Sequence, residues 1–172
     1  MLVSSAPAQP QDGEDYDDLV ELIELLFFAY RDFTSDPDAI LAEYGFGRAH
    51  HRVLHFVNRN AGMRVSDLLD ILKITKQSLA RVLRQLVDQG FVEQRAGSED
   101  RRERLLFPTE TGKALAARLA APQLDRIGGA LETLEPMARA AARGFLYNLI
   151  NAEERKKVER LVAMHGRVTN DD

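Results

Sequence analysis

Cationic and amide side chains are concentrated at two places in the middle of the chain. The first is a row along one side of a predicted helix at 76–89, with members Lys76, Gln77, Ser78, Arg81 and Arg84. The second is a predicted hairpin tip that carries Arg101, Arg102 and Arg104. Lysine and arginine pair with phosphates, and arginine and glutamine make paired hydrogen bonds with base edges. The two clusters are therefore candidates for gripping both grooves of a DNA duplex.

The residue types suggest a role for each member of the helical row. Gln77 is suited to adenine, and Arg81 is suited to guanine through two hydrogen bonds. Thr75 and Ser78 lie near the positive end of the helix, where a phosphate is favoured, and Arg84 is a further phosphate candidate. For the helical row taken alone, the alternative interpretation is that its polar residues are simply exposed to solvent. The adjoining arginine-rich hairpin favours DNA binding.

The hairpin tip offers a different chemistry, because an arginine at a loop tip can enter the narrow and strongly negative minor groove. A flexible arginine loses affinity unless it is held in place. We expect the carboxylate of Asp100 to brace Arg102 or the tip backbone, so that Arg101 reaches outward. An exposed ion pair of this kind contributes only roughly 0–1 kcal/mol to stability, so its predicted role is positioning.

Turn residues and apolar spacing place the elements that carry both clusters. Ser66 is the predicted cap of one helix, and Thr75 is the predicted cap of the next, which Gly90 ends. The buried face of that second helix is predicted to consist of Leu79, Val82, Leu83 and Leu86. Strands are predicted at 91–95 and 104–107, with Pro108 stopping the second strand and Thr109 capping a long helix. The unit therefore has the order helix, turn, helix, strand, basic tip, strand.

Helices are predicted on both sides of this unit. Upstream, a disordered tail is expected at 1–15 and a helix at 17–31. Asp36-Pro37 is expected to begin a short helix that ends at Gly45, and a further helix is expected at 47–59. Downstream, Pro122 predicts a kink or break in the long helix, Pro136 begins another, and Asn151 with Glu154 resembles a capping box for the last. The apolar stripe of 17–31 is wider than a monomer needs, which favours a dimer interface over a core helix.

Composition narrows the possible classes of protein. The net charge of −4 hides an asymmetry, because residues 1–45 contain eleven acidic residues and one arginine (−10), which leaves +6 for the remainder. Phosphate binding depends on the local field within a Debye length of roughly 10 Å. The absence of cysteine excludes disulfides and thiolate metal sites. Without a long apolar run or a secretory signal pattern, a cytoplasmic protein is expected.

The central stretch resembles the MarR family of winged helix-turn-helix transcriptional regulators over roughly residues 47–120. The resemblance rests on ITKQSLARVLRQL as recognition helix, GFVEQR leading into the wing, the DRR tip and PTETG after it. The family's Asp-x-Arg wing motif falls on Asp100 and Arg102. Its usual Leu-Thr after the wing is Pro108-Thr109 here. The resemblance implies a mainly α fold with a small β-wing and a helical dimerisation layer built from the N- and C-terminal helices.

The resemblance also implies a division of the chain and a function. The divisions are the tail at 1–15, N-terminal dimerisation helices at 16–46, a winged helix-turn-helix DNA-binding domain at 47–108 and C-terminal dimerisation helices at 109–172. The implied protein is a homodimer that binds a palindromic operator as a sequence-specific regulator, usually a repressor, released by a small aromatic or phenolic effector. The alternatives are a constitutive architectural DNA-binding dimer and a winged-helix protein-interaction module without DNA binding.

Two further groups of residues could form sites. The expected effector cavity is aromatic and is lined by Tyr30, Tyr44, Phe46, His51, His55 and Phe56. The alternative for these residues is plain core packing. His51 and His55 have the spacing of two metal ligands on one helix face, beside His50, but no cysteine is available and His165 or a distant acid would be needed. We therefore predict no metal and no cofactor. Catalysis is not expected, because no glycine-rich phosphate loop or metal motif with an associated base is present.

Overall fold

Seven helices and three strands make up the part of the chain that the computed structural model describes, namely residues 13–97 and 102–163. The elements in chain order are α1 (Gly13–Ala42), α2 (Arg48–Arg59), β1 (Met63–Arg64), α3 (Val65–Leu72), α4 (Lys76–Asp88), β2 (Val92–Ala96), β3 (Arg104–Pro108), α5 (Glu110–Glu132), α6 (Pro136–Asn148) and α7 (Ala152–Ala163). The strands form one antiparallel sheet in the order β1-β3-β2. The predicted mainly α fold with a small β-hairpin is confirmed.

One apolar core joins α2, α3, α4, the sheet and the start of α5. Its fully buried members include Leu54, Leu68, Leu86, Leu106 and Leu119. Burying one such side chain contributes about 1.5–3 kcal/mol. The predicted inner face of α4 is confirmed, because the four apolar residues expected there are only 0–3% exposed (Leu79, Val82, Leu83 and Leu86).

Side-chain caps define where α4 and α5 begin. Thr75 accepts a hydrogen bond from the backbone N–H of Ser78 (3.1 Å). Thr109 accepts one from the N–H of Gly112 (3.0 Å) and donates its own hydroxyl to the carbonyl of Gly90 (2.6 Å). Both caps agree with the sequence predictions. The second cap also attaches α5 to the end of the α4–β2 turn.

The predicted cap at Ser66 is wrong. The helix α3 already begins at Val65, and the carboxylate of Asp67 accepts the backbone N–H of Arg64 (3.2 Å) instead. The reason is the strand β1, in which Met63 and Arg64 pair with Leu106 and Leu105 of β3. This pairing keeps the chain extended up to the first residue of α3. A strand of two residues gives no periodic pattern, so the sequence did not predict it.

Gly112 lies where α5 passes closest to the sheet. A Cβ atom at this position would be 2.0 Å from the carbonyl oxygen of Phe91. Since that oxygen belongs to the backbone, only a residue without a side chain fits there. The backbone N–H of Thr109 also donates to the Phe91 carbonyl (3.2 Å). The beginning of β2, the end of β3 and the start of α5 are therefore held together. The strand β3 includes Pro108, one residue beyond its predicted end.

The predicted break before Pro37 is wrong, because α1 continues through this proline to Ala42. A proline inside a helix removes the N–H that would bond the carbonyl four residues earlier, here that of Phe33. The side-chain amide of Gln123, on α5, donates to that carbonyl at 3.2 Å. The missing hydrogen bond is thus replaced from another helix. α5 also continues through its internal proline, so of the kink or break predicted at Pro122 the break does not occur.

The described start of α1 lies within the segment expected to be a tail. Residues 1–12 are outside the described residues, and the helix begins at Gly13 rather than after residue 15. At the start of α7, the backbone N–H of Glu154 donates to the carbonyl of Asn151 (2.9 Å), and the Glu154 carboxylate pairs with Lys73 (3.0 Å). α7 itself begins at Ala152, as the sequence predicted.

Three ion pairs fasten the second half of α1 and the segment after it to neighbouring helices. Asp36 pairs with Arg126 of α5 (3.0 Å), and Asp38 pairs with Arg48 of α2 (2.8 Å). Glu43 accepts both terminal nitrogens of Arg118 (2.6 and 2.8 Å), which is the strongest geometry for such a pair. Hydrogen bonding to Arg118 lowers the pKa of the Glu43 carboxyl.

Large apolar side chains remain exposed on α1 and α6. On α1, Phe27 is 68% exposed and Phe28 is 56% exposed, and on α6 Met137 is 88% exposed. No residue of α6 is buried. No helix in the described ranges is long and apolar enough to cross a membrane. Exposed apolar area on this scale is typical of a surface that another protein chain covers.

The replaced hydrogen bond at Pro37 predicts a specific energetic coupling. Gln123→Leu should lower the free energy of unfolding by about 1 kcal/mol, because the Phe33 carbonyl loses its donor. Pro37→Ala supplies a backbone N–H to the same carbonyl, so Gln123→Leu should cost much less in that background. Chemical unfolding of the four proteins in a double-mutant cycle measures the difference. Equal costs in both backgrounds would contradict this role for Gln123.

Candidate nucleic-acid interface

The polar row of α4 faces solvent along its whole length. All six predicted contact residues are exposed, and they are Thr75, Lys76, Gln77, Ser78, Arg81 and Arg84. Within the described ranges, none of the three cations in this row forms an ion pair. Their charges are therefore uncompensated on one side of the helix, while the opposite side is buried in the core.

The start of α4 combines two hydroxyl groups. The hydroxyl of Thr75 donates to Oγ of Ser78 (2.9 Å) while it accepts the N–H of Ser78. The Thr75 hydroxyl therefore both donates and accepts a hydrogen bond at the start of the helix. Ser78 accepts the hydroxyl of Thr75 and keeps its own O–H available. A phosphate at this helix end would find the O–H of Ser78, the first backbone N–H groups and the ammonium of Lys76 close together.

The hairpin brings cations to the same side as α4. A groove of about 500 Å³ runs between them, with Lys76 and Arg84 of α4 on one wall and Arg104 of β3 on the other. Its floor is apolar and includes Leu79, Leu83 and Val87. Among the described residues, Asp88 is the one acid in its lining. The structure therefore joins the two basic clusters that the sequence separates by about twenty residues.

The hairpin tip itself is only partly described. Asp100 and Arg101 lie outside the described residues, so the predicted brace from Asp100 to Arg102 is not among the described contacts. Arg102 is exposed. A different contact holds this end of the hairpin, because Glu103 pairs with Arg64 of β1 (3.1 Å). Arg64, Arg102 and Arg104 line one small cavity of about 310 Å³.

Arg64 is the basic residue that the sequence reasoning missed. It was missed because its place beside the hairpin depends on the pairing of β1 with β3. The only sequence signal was a lone arginine between a glycine turn and a helix start, which is common on protein surfaces. Its ion pair with Glu103 connects the base of α3 to the hairpin, so Arg64 positions the hairpin arginines.

A buried histidine fastens α4 from behind. His50 on α2 is 8% exposed, and it is the one buried polar or charged side chain in the described part of the chain. Its Nδ1 accepts the N–H of Gly47 (3.1 Å), so the ring proton is on Nε2, which donates to Oε1 of Gln85 (2.8 Å). The ring also stacks on Phe46 at 4.5 Å. Gln85 lies one turn beyond Arg81, so this contact links α2 to the C-terminal half of α4.

The contacts of the α2 histidines show whether they are placed to bind a metal ion. Both ring nitrogens of His50 are engaged by Gly47 and Gln85. In the described ranges, no three histidine or acidic side chains lie where they could hold one metal ion. Burial lowers the pKa of His51, and the nearby His55 lowers it further. His165 is outside the described residues.

The six predicted effector-cavity residues are distributed over different places. Tyr44 and Phe46 pack with Phe91 in an aromatic cluster (ring centroids 5.5–6.0 Å apart). Tyr30 is exposed on α1, beneath the guanidinium of Arg48 at 5.5 Å. His51 is half-buried on α2, on the side facing α1.

The last two of the six, His55 and Phe56, border a cavity of about 240 Å³ that is closed on its other side by Leu161 and Val162 of α7. The six side chains therefore do not converge on one cavity. Tyr44 and Phe46 belong to the aromatic packing, while Tyr30 is exposed on α1 and the pair near the end of α2 faces α7.

Comparisons with known proteins agree on one family. The model of the MarR family matches residues 44–103. The HTH-type transcriptional regulator PetP of Rhodobacter capsulatus is 46% identical over 138 residues, which cover 80% of this chain and 83% of that protein. A crystal structure of a MarR family transcription regulator has a TM-score of 0.67 at 18% identity, covering 79% of this chain and 90% of that chain.

A further solved structure, a MarR mutant from E. coli complexed with operator DNA, has a TM-score of 0.60 at 20% identity. The match covers 79% of this chain and 98% of that chain. At such identities the two crystal structures show a common fold, which is the winged helix-turn-helix that the sequence predicted.

The His50–Gln85 contact makes a stability prediction. Gln85→Leu should lower the free energy of unfolding by about 1–3 kcal/mol, because the Nε2–H of His50 is left buried without an acceptor. Gln89→Leu, at an exposed position just after α4, is the matched control and should change stability little. Urea unfolding of both variants measures the difference. Equal effects would show that the hydrogen bond does not hold α4.

Proposed function

Because the chain belongs to the MarR family of transcriptional regulators, we propose that it acts as a homodimer that binds a palindromic DNA operator and represses a neighbouring gene. The observation that carries this proposal is the groove between α4 and the hairpin, which Lys76 and Arg84 line from one side and Arg104 from the other. Cations on two separate elements around one groove can engage the phosphates of a duplex together.

In the proposed complex, the N-terminal half of α4 enters the major groove. Gln77 and Arg81 are the base-reading residues, since their functional groups can bond adenine and guanine edges. Thr75, Lys76, Ser78 and Arg84 bind phosphates. The hairpin enters the adjoining minor groove with Arg101 and Arg102, and Asp100 holds them in position. The ion pair between Arg64 and Glu103 supports this orientation from the described side of the hairpin.

The proposed dimer uses the exposed apolar surfaces of α1 and α6. These helices belong to segments 16–46 and 109–172, which we assign to the dimerisation layer, and 47–108 is the DNA-binding domain. The apolar side chains of α1 fall along its outer surface, and a second copy would bury them. A twofold axis then presents two copies of α4 to successive major grooves, about 34 Å apart.

We further propose that a small aromatic effector releases the operator. The support for this is a cavity of about 620 Å³ between α7 and the α2–β1–α3 region, with Met63, Ile71 and Leu161 in its wall. The smaller cavity beside His55 and Phe56 adjoins the same helix. Volumes of this order suit small ligands. An effector bound there can release DNA only if it has a higher affinity for a dimer conformation with one separation of the two DNA-binding domains than for another.

The first test concerns base reading. Arg81→Ala should cost about 1–3 kcal/mol at the base that Arg81 reads and should relax the preference at that position. Lys156→Ala, which removes one positive charge from an exposed position on α7, is the control and should leave the preferred site unchanged. Selection of bound duplexes from a random-sequence pool measures both. If Arg81→Ala leaves the base preference unchanged, the proposed position of α4 in the major groove is wrong.

The second test concerns the hairpin. The double substitution Arg102→Ala with Arg104→Ala should weaken binding evenly across sequences and make the slope of log affinity against log salt shallower by about 2. Titration of a fluorescent duplex at several salt concentrations measures this slope. If the slope of the double variant equals that of the unaltered protein, the hairpin does not contact DNA. Absence of duplex binding by the unaltered protein would favour a protein-interaction module, and equal binding to every duplex sequence would favour an architectural role.

A further inference from the structure

We propose that the C-terminal helix α7 positions α4 through four charged side chains, Asp70, Lys73, Glu154 and Lys157, which we call the α7 cluster. This inference rests on the proposed DNA-binding function, and it assigns positioning residues on an element that does not itself touch DNA. The cluster connects α7 to the turn that immediately precedes α4.

The charges in the cluster alternate along a chain of contacts. The ammonium of Lys73 lies 2.8 Å from one carboxylate oxygen of Asp70 and 3.0 Å from the carboxylate of Glu154. The other oxygen of Asp70 pairs with the ammonium of Lys157. That ammonium is shielded from solvent. The two side chains as a whole are 41% and 54% exposed, so this contact is a surface ion pair whose value lies in positioning.

Lys73 occupies an unusual point in the backbone. Its φ of +50° lies in the left-handed region, and it is the one described non-glycine residue with a positive φ. This conformation is unfavourable for a residue with a Cβ atom. It forms the turn between α3 and α4, and the cap Thr75 follows two residues later. Contacts that hold the Lys73 side chain therefore stabilise the turn that aims α4.

Apolar packing accounts for only part of how α7 is held, with Val158 and Leu161 half-buried. None of its described residues is buried. The cavities of about 620 and 240 Å³ lie along its contact with α2 and α3. Its start is fastened to the end of α6, because Arg155 donates to the carbonyls of Ile150 (2.9 Å) and Asn148 (2.7 Å). The ion pairs of the α7 cluster join α6 and α7 to the α3–α4 turn.

The cluster gives a route from the helical layer to the DNA-reading surface. A shift of α7 relative to α3 changes the contacts of Asp70, in the last turn of α3, and of Lys73, in the turn between α3 and α4. The orientation of α4 in each subunit then depends on where α7 is held. This makes Glu154 and Lys157 positioning residues for DNA binding, acting through the turn.

The test compares two double variants of α7 with identical net charge. The first is Glu154→Gln with Lys157→Gln, which removes both contacts to the turn. The control is Glu153→Gln with Lys156→Gln, at neighbouring exposed positions that form no ion pair with any described residue. The probe is a duplex selected from a random pool with the unaltered protein. Amide hydrogen exchange at 73–78 is measured without DNA.

The cluster variant should bind the probe about fivefold more weakly than the control, the order expected for one or two exposed ion pairs. It should exchange faster at 73–78 while remaining dimeric in sedimentation. The conservative Lys157→Arg, which keeps the positive charge, should keep both affinity and protection. Equal affinity and equal exchange in both double variants would overturn the proposal. Failure of the unaltered protein to bind any duplex would instead contradict the proposed function.

Discussion

Burial of one side of α4 is the interaction on which the rest of the structure depends. Four apolar side chains, Leu79, Val82, Leu83 and Leu86, insert into the core. With 3.6 residues per turn, this choice leaves the row from Lys76 to Arg84 on the opposite side. A rotation that exposed the leucines would bury Arg81 or Arg84 without a partner, which is far more costly than the loss of a surface contact. Packing against the core thus determines which side chains of α4 are exposed to solvent.

The contacts around this core serve to keep α4 and the hairpin in one relative position. His50 holds α4 from α2 through Gln85, and Gly112 allows α5 to approach the backbone of Phe91 at the base of the hairpin. Arg64 holds the hairpin from β1. A chain with a net charge of −4 can then still attract a polyanion, because residues 1–45 carry −10, the remainder carries +6, and three cations line one groove. The local field decides such binding, not the net charge.

Local signals predicted much of this arrangement. The inner face of α4 and the caps Thr75 and Thr109 follow from spacing and residue type within a few positions, and all agree with the structure. The errors have long-range causes. The continuity of α1 through Pro37 depends on Gln123, and the start of α3 depends on a strand pairing with Leu105 and Leu106. Likewise, nothing near His50 in sequence indicates its bond to Gln85. Such contacts are visible only once the chain is folded.

The most direct test of the account is methylation protection of a selected operator by dimethyl sulfate, because this reagent modifies guanine N7 in the major groove and adenine N3 in the minor groove. A dimer with α4 in the major groove and the hairpin in the minor groove should give two protected major-groove patches centred about 34 Å apart, with protected minor-groove adenines beside each. Arg81→Ala should expose a guanine in each major-groove patch and leave the minor-groove protection intact. Protection confined to one groove, or a pattern without twofold symmetry, would contradict it.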